Sequence, residues 1–262
     1  NLLESGQIPP TSPTALAVGA QALRPETSDS ITAGLVYEND HLTLTVDTYF
    51  IDVDDRVTLS ASQSLTDQQR QELIDQGFQA ASGIGSFRFF TNDFATETKG
   101  VDVIASMPLD IIDGGDTELA LAFNYTKTEV TSFDPSDPNE LLDTVRVTQI
   151  EENYPSTRGN VTLRHTRDRW RSHVRVNHYG SFTEMHVNGN LPINAPSTLT
   201  VDAEFALNVT DAFEVAVGAD NLLGEEPIRN PWDFIVGSKY PTTQPNGLDN
   251  GLWYVRGRYR FD

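Results

Sequence analysis

The sequence predicts an all-β fold: an antiparallel, up-and-down transmembrane β-barrel wall, incomplete, with about nine strands of a larger barrel. Three observations predict it. Apolar residues recur with period 2, connections alternate between short and long, and the strand count is odd. In 252–261, Trp253, Val255, Gly257, Tyr259 and Phe261 fall on one face, and Leu252, Tyr254, Arg256, Arg258 and Arg260 on the other. That is the side-chain period of a strand; a helix would bring Trp253 beside Arg256 and Val255 beside Arg258. Most strands repeat the pattern, often with aromatics near their ends. Apolar toward lipid, polar toward the lumen and aromatic at the interfaces is the signature of a membrane barrel.

The elements follow in order. Residues 1–29 are rich in Pro, Ser and Thr and read as loop, with a short extended piece at 15–20. Residues 30–38 alternate through Ile31, Ala33, Leu35 and Tyr37, then turn at Asn39-Asp40 into 42–53. In the polar stretch that follows, Thr66 is placed to cap a short helix over 67–76, which Gly77 ends. A strand over 98–109 carries Val101, Val103, Ala105 and Met107 on one face, and Gly114-Gly115 turns it back into 118–130. Residues 158–167 and 169–179 make a tight hairpin. Residues 198–209 turn at 210–212 into 213–222, and 223–251 leads to the final strand.

Short connections therefore fall at 39–41, 110–117, near Asp168 and at 210–212; long ones fall at 54–97, 131–156, 181–197 and 223–251. In an up-and-down sheet this places all short turns at one end, as in outer-membrane barrels. A soluble sandwich has no reason to sort its loops so. A single-chain antiparallel barrel closes with an even number of strands, so the chain, 1–262, is expected to be one portion of a longer barrel. That it opens on Asn1, with no basic-then-apolar leader, gives the same expectation.

Composition sets exclusions. A formal net charge of -20 argues against nucleic acid as a partner. With no cysteine there is neither a disulfide framework nor a thiolate metal site. No apolar run approaches the ~18 residues of a membrane-spanning helix, a test that leaves barrels untouched.

Several segments carry a family resemblance: Leu23-Arg24-Pro25-Glu26-Thr27-Ser28 before one strand, and Tyr49-Phe50-Ile51-Asp52-Val53-Asp54-Asp55-Arg56-Val57 ending the next. Phe90-Thr91-Asn92 leads to Thr98-Lys99-Gly100-Val101-Asp102; Gly218-Ala219-Asp220-Asn221-Leu222-Leu223 and Tyr259-Arg260-Phe261 complete the set. In this order and spacing the chain resembles the C-terminal part of TonB-dependent outer-membrane receptors over almost its whole length. The resemblance implies a plugged barrel of ~22 strands in the cell outer membrane, in contact with its lipid. It also implies a small-molecule substrate such as an iron–siderophore complex, and the TonB complex as a partner through a plug region that this sequence lacks. Haem, cobalamin and oligosaccharides are other substrates of the family, haem being demoted by the lack of a haem-receptor His motif. The sequence departs from the family at Asn221-Leu222-Leu223-Gly224-Glu225-Glu226-Pro227, where Asn-Leu-Phe-Asp and an aromatic-Pro pair are usual, and at Asp262 after the terminal Phe.

Candidate sites are few. Asp52, Asp54 and Asp55, and Glu151 with Glu152, are carboxylate groups without a defined partner, and neither a G-x-S-x-G elbow nor an H-E-x-x-H helix occurs. No catalytic residue, and no enzyme, is expected. His165, His173, His178 and His186 lack spacing that converges on a metal, and the acidic stretch 134–143 lacks the calcium-loop pattern. No metal and no cofactor is expected. Arg256, Arg258 and Arg260 read as lumen-facing, because a charge on the lipid side costs ~2–4 kcal/mol near mid-membrane. They contact a plug or pair with Asp202, Glu204, Glu214 or Asp220. Trp232, Phe234 and Tyr240 are candidate ligand-binding residues, since aromatic side chains stack on a ligand with little entropy loss; packing of their own loop is the competing role. A passive porin-type or adhesin-type barrel and a soluble all-β carbohydrate-binding module are the rival functions.

Two expectations follow. Leu119, Leu121, Phe123, Val201, Phe205 and Trp253 share parity and form one continuous apolar face. The sheet has two unpaired edges, which template association, so the isolated chain aggregates in water. Light scattering checks this, and a monodisperse, cooperatively unfolding monomer in plain buffer would contradict it.

Overall fold

The computed structural model describes residues 4–112, 114–133, 141–186 and 191–261, apart from the side chain of Asp93. In chain order the elements are β1 (Glu4–Gln7), α1 (Pro13–Leu16), β2 (Thr27–Glu38), β3 (Thr43–Leu59), α2 (Asp67–Asp75), a 3-10 turn (Gln79–Ser82), β4 (Ile84–Arg88), β5 (Phe90–Leu109) and β6 (Asp116–Val130). Then come α3 (Thr144–Glu151), β7 (Thr157–Arg167), β8 (Trp170–Tyr179), β9 (Phe182–Met185), β10 (Pro192–Ala195), β11 (Thr198–Asn208), β12 (Phe213–Asp220), α4 (Asp233–Val236) and β13 (Leu252–Tyr259). Nine of the strands form one sheet in the order β13-β12-β11-β8-β7-β6-β5-β3-β2, so β13 and β2 are its edges. These are the nine expected strands, and from β6 to β13 each pairing is antiparallel. Among the described residues no helix is long and apolar enough to cross a membrane.

By contacts the chain divides into two compact units, the first comprising Asn1–Ser30, Ile51–Thr98 and Thr128–Glu151. The N-terminal segment and the long connections hold a small core that was not expected: Ala15, Ala20, Leu65, Leu73, Ala81, Phe87, Phe89 and Leu141 are buried together. Where an extended piece was expected at 15–20, helix α1 runs through Leu16 and a turn follows over 17–19. Ser12 accepts a hydrogen bond from the Ala15 amide at 3.3 Å and Pro13 opens the helix, both ordinary start signals. Helix α2 is as expected, with Thr66 and Gln69 capping each other and Gly77, at φ 94°, beyond its end. β1 lies parallel to β4, and β3 and β5 run further than alternation suggested. Asn92 ties the unit together. Its amide accepts from Arg24 N at 2.8 Å, donates to Arg24 O at 3.0 Å and donates to Asp55 O at 2.5 Å.

The second unit comprises Ile31–Phe50, Lys99–Lys127 and Glu152–Asp262. Its registers align two unlike faces. One row across six strands reads Leu119, Leu163, Val174, Ala203, Ala219, Trp253, and a second reads Leu121, Val161, Val176, Val201. Phe205, Val217 and Val255 form a third. All six expected apolar-face residues share this face, and it is not covered: Phe205, Val255 and Trp253 are 45%, 77% and 69% exposed. Trp170 stacks on Phe205 with ring centroids 5.7 Å apart, and Tyr259 meets Phe261 edge-on at 4.8 Å, so aromatics gather toward the short-turn end. The opposite face reads Glu118, Arg164, His173, Glu204, Gly218, Tyr254.

The first unit has a conventional core, and truncating it tests that. Replacing buried Phe87 by Ala should cost about 3–5 kcal/mol locally. Amide exchange of α2 and β4 should accelerate while β7, β8 and β11 stay protected; unchanged exchange in α2 would contradict this core.

Candidate functional site: a charged sheet face and a pinned loop

Glu204 organises the polar face of the second unit. The carboxylate is 4% exposed and accepts from Arg256 at 2.8 Å, Arg171 at 3.0 Å and the Tyr254 hydroxyl at 2.8 Å. Arg171 also reaches Glu214 at 3.1 Å. Tyr254 gets to Glu204 by lying across Gly218: a Cβ there would sit 2.5 Å from the Tyr254 ring, so only glycine admits this path. The same device recurs at Gly100, whose missing Cβ leaves room for the Tyr49 ring, with the Tyr49 hydroxyl bonded to Thr126. A cavity of about 420 Å³ opens on this unit, lined by Asp47, Asp102, Asn124, Arg158, Asn177 and Tyr179 together with the apolar Val103, Ile104, Ala122 and Phe123. Asn124 donates to Asp102 at 2.7 Å, and Asn177 to Asp202 at 2.8 Å.

Arg256 thus takes one of the four partners named from parity, Glu204. Arg258 stands opposite Glu214 in the β12–β13 register, and Arg260 donates its backbone N–H to Ala212 O at 2.9 Å.

The connection from β12 to β13 is rooted at Asn221, in the left-handed region at φ 51°, which Asn tolerates better than most residues. Its side chain donates to Glu225 O at 2.8 Å and Asn250 O at 3.1 Å and accepts from Glu225 N at 2.9 Å, closing both ends of the loop. Buried Asn230 does the same further out, donating to Ser238 O at 3.0 Å and accepting from Trp232 N at 2.9 Å.

The three candidate aromatics of this loop stand in different surroundings. Trp232 donates its indole N–H to Pro192 O on β10 at 2.9 Å. Tyr240 is half-buried; Lys239 Nζ lies 4.8 Å from its ring centroid, and its carbonyl accepts from Ser238. Phe234 is 78% exposed on α4, beside Ile235.

The other flagged residues disperse. His165 is buried with Nδ1 2.8 Å from Thr117 Oγ1, while His173 faces Glu204 across the β8–β11 register. Among the described residues no three His, Asp or Glu side chains gather as a metal would need. Asp55 pairs with Arg24 at 2.6 Å, Glu151 accepts from Val130 N at 2.7 Å, and the Glu152 carbonyl accepts from Thr183 N at 2.9 Å. Most of the acidic stretch 134–143 lies outside the described residues.

Sequence reasoning passed over Glu184, on β9. This buried carboxylate accepts from Thr242 N at 3.0 Å, Thr243 N at 2.7 Å and both threonine hydroxyls. The only local signal was the short alternation of Phe182 to Met185, whose pairing with β10 makes a hairpin inside a stretch read as loop.

Residues 3–222 match the family described as TonB dependent receptor-like, beta-barrel. No curated protein is similar enough in sequence to match. Among solved structures, the copper transporter OprC is similar at 17% identity and TM-score 0.60 over 92% of this chain. A mutant of the ferric enterobactin receptor PfeA from Pseudomonas aeruginosa is similar at 14% identity and TM-score 0.60 over 91%. The siderophore receptor PirA from Acinetobacter baumannii is similar at 16% and 0.59 over 91%. The chain spans 32% of the length of each, and at these identities the likeness shows the fold.

The Glu204 cluster makes an asymmetric prediction. Glu204→Ala strips a buried acceptor from two arginines and a tyrosine and should destabilise the barrel by about 1–3 kcal/mol, below a fully buried pair because both arginines are half-exposed. Arg256→Ala leaves Glu204 with Arg171 and should cost less. Urea unfolding of the folded protein in detergent, followed by heat-modifiability, checks the order.

Proposed function

The chain belongs to the TonB-dependent receptor β-barrel family, and from that premise we propose that it builds part of the wall of an outer-membrane receptor. That receptor takes up a scarce nutrient, such as an iron–siderophore complex, by energy-coupled transport. The observation that carries the reading is the uncovered apolar face of the second unit, backed by a charged face on which Glu118 pairs with Arg164, Glu204 with Arg171 and Arg256, and Glu214 with Arg171. In water such a face is a liability; against lipid it is the requirement.

Orientation follows the charges. With Trp253, Val255 and Tyr259 toward lipid, Arg256, Arg258 and Arg260 face the lumen. The short turns are periplasmic and the long connections external, which puts Trp232, Phe234 and Tyr240 where substrate arrives. Of these Phe234 is the first choice for contact, being the most exposed of the three, whereas Trp232 has a bond to Pro192 to keep. Coupling to the TonB complex runs through a plug region, as in the family. Copper and siderophore cargoes in the names of similar structures favour a metal or metal complex as substrate.

The test uses the full-length protein. Phe234→Ala should weaken binding of its substrate, found by screening iron(III)–catecholate, iron(III)–hydroxamate, copper(II), cobalamin and oligosaccharide, by roughly 2- to 13-fold, the worth of one aromatic contact of ~0.5–1.5 kcal/mol. Heat-modifiability should show an intact barrel. Binding of none of these by the unaltered protein would contradict the uptake reading, and unchanged affinity in Phe234→Ala would move the contact elsewhere.

A further inference from the structure

The segment from Trp232 to Thr243 is fastened at both ends to one hairpin. At one end the Trp232 indole donates to Pro192 O at 2.9 Å. At the other, Thr242 and Thr243 deliver two amides and two hydroxyls to the Glu184 carboxylate. The anchors are neighbours, because Glu184 pairs with Ile193 and Met185 with Pro192 in the β9–β10 register. Between the fastenings lie Phe234 and Ile235, 78% and 56% exposed.

We infer that Glu184 is the positioning residue of this loop: it locks 232–243 to the β9–β10 hairpin and so fixes where Phe234 stands. Four donors converge on this one carboxylate, the Thr242 amide on Oε1 and the Thr243 amide and both hydroxyls on Oε2. Bonds to an ionised acceptor are roughly twice as strong as neutral ones. Glu184 is 7% exposed, so water cannot replace a lost partner. Phe234 is therefore presented ready-placed, and a ligand meeting it has little loop ordering to fund. The consequence for binding rests on the reading of this loop as substrate-facing; the lock itself does not.

The experiment uses the full-length protein in native-membrane vesicles, with a spin label at Phe234→Cys and hydrogen exchange read at Thr242 and Thr243. In Glu184→Gln one carboxylate oxygen becomes an NH2 that faces donors. Exchange at both amides should rise at least tenfold and the label should become mobile, with Glu184→Asp in between. Thr243→Val, which removes one hydroxyl donor from the other side, should give a smaller rise and serves if Glu184→Gln fails to assemble. Unchanged exchange and label mobility in the assembled variant would overturn the inference. Binding of an iron(III)–catecholate probe is scored separately, in unlabelled protein that keeps Phe234: exchange that rises with unaltered binding supports the lock and counts against the substrate-facing reading.

Discussion

A strand has two faces, and in the second unit they carry opposite obligations. One must tolerate an apolar surround, the other must keep charged groups partnered. Strict alternation meets both, because a one-residue slip would exchange the faces wholesale. Slipped by one, β8 would turn Arg171, Arg175 and Asn177 to the apolar side and bring Val174 and Val176 among the carboxylates. The register is therefore held from both sides at once. On the charged side Glu204 links β8, β11 and β13 through Arg171, Arg256 and Tyr254, and Gly218 keeps the tyrosine's path open.

The connections answer to a different constraint. Outside the sheet a chain segment gains stability only by building its own core or by satisfying its own backbone, and both solutions occur here. The first unit packs Phe87, Phe89, Leu65 and Leu73 into a small interior. The loop after β12 relies on polar side chains, Asn221, Asn230 and Glu184, each bonded to backbone groups. Phe234, held in this loop, is 78% exposed.

How much of this the sequence discloses follows from range. Alternation is local, so each long strand reveals itself within its own ten or so residues, and the nine strands of the sheet were legible. The partner of Arg256 was legible only within a set of four, because parity puts Asp202, Glu204, Glu214 and Asp220 on the same face as the arginines and does not choose among them. Helix α1 was misread because Ser12 and Pro13, its start signals, sit among other prolines and threonines that dilute them. β9 and β10 are four residues each, too short for periodicity to separate from chance. Glu184 was not legible, since its partners lie 58 and 59 positions away and the alternation around it spans only the four residues of β9.

The central claim is that the two faces of the sheet meet different media. Val176 and Asn177 are consecutive on β8 and point to opposite faces, so they test it with the backbone held constant. Single cysteines at the two positions, in the full-length protein in vesicles, carry a fluorophore whose quenching by bromolipid and by aqueous iodide is measured. The account predicts that the label at Val176→Cys is quenched by bromolipid and spared by iodide, and that the label at Asn177→Cys shows the reverse. Equal access of iodide to both labels, or bromolipid quenching at Asn177→Cys alone, would contradict it.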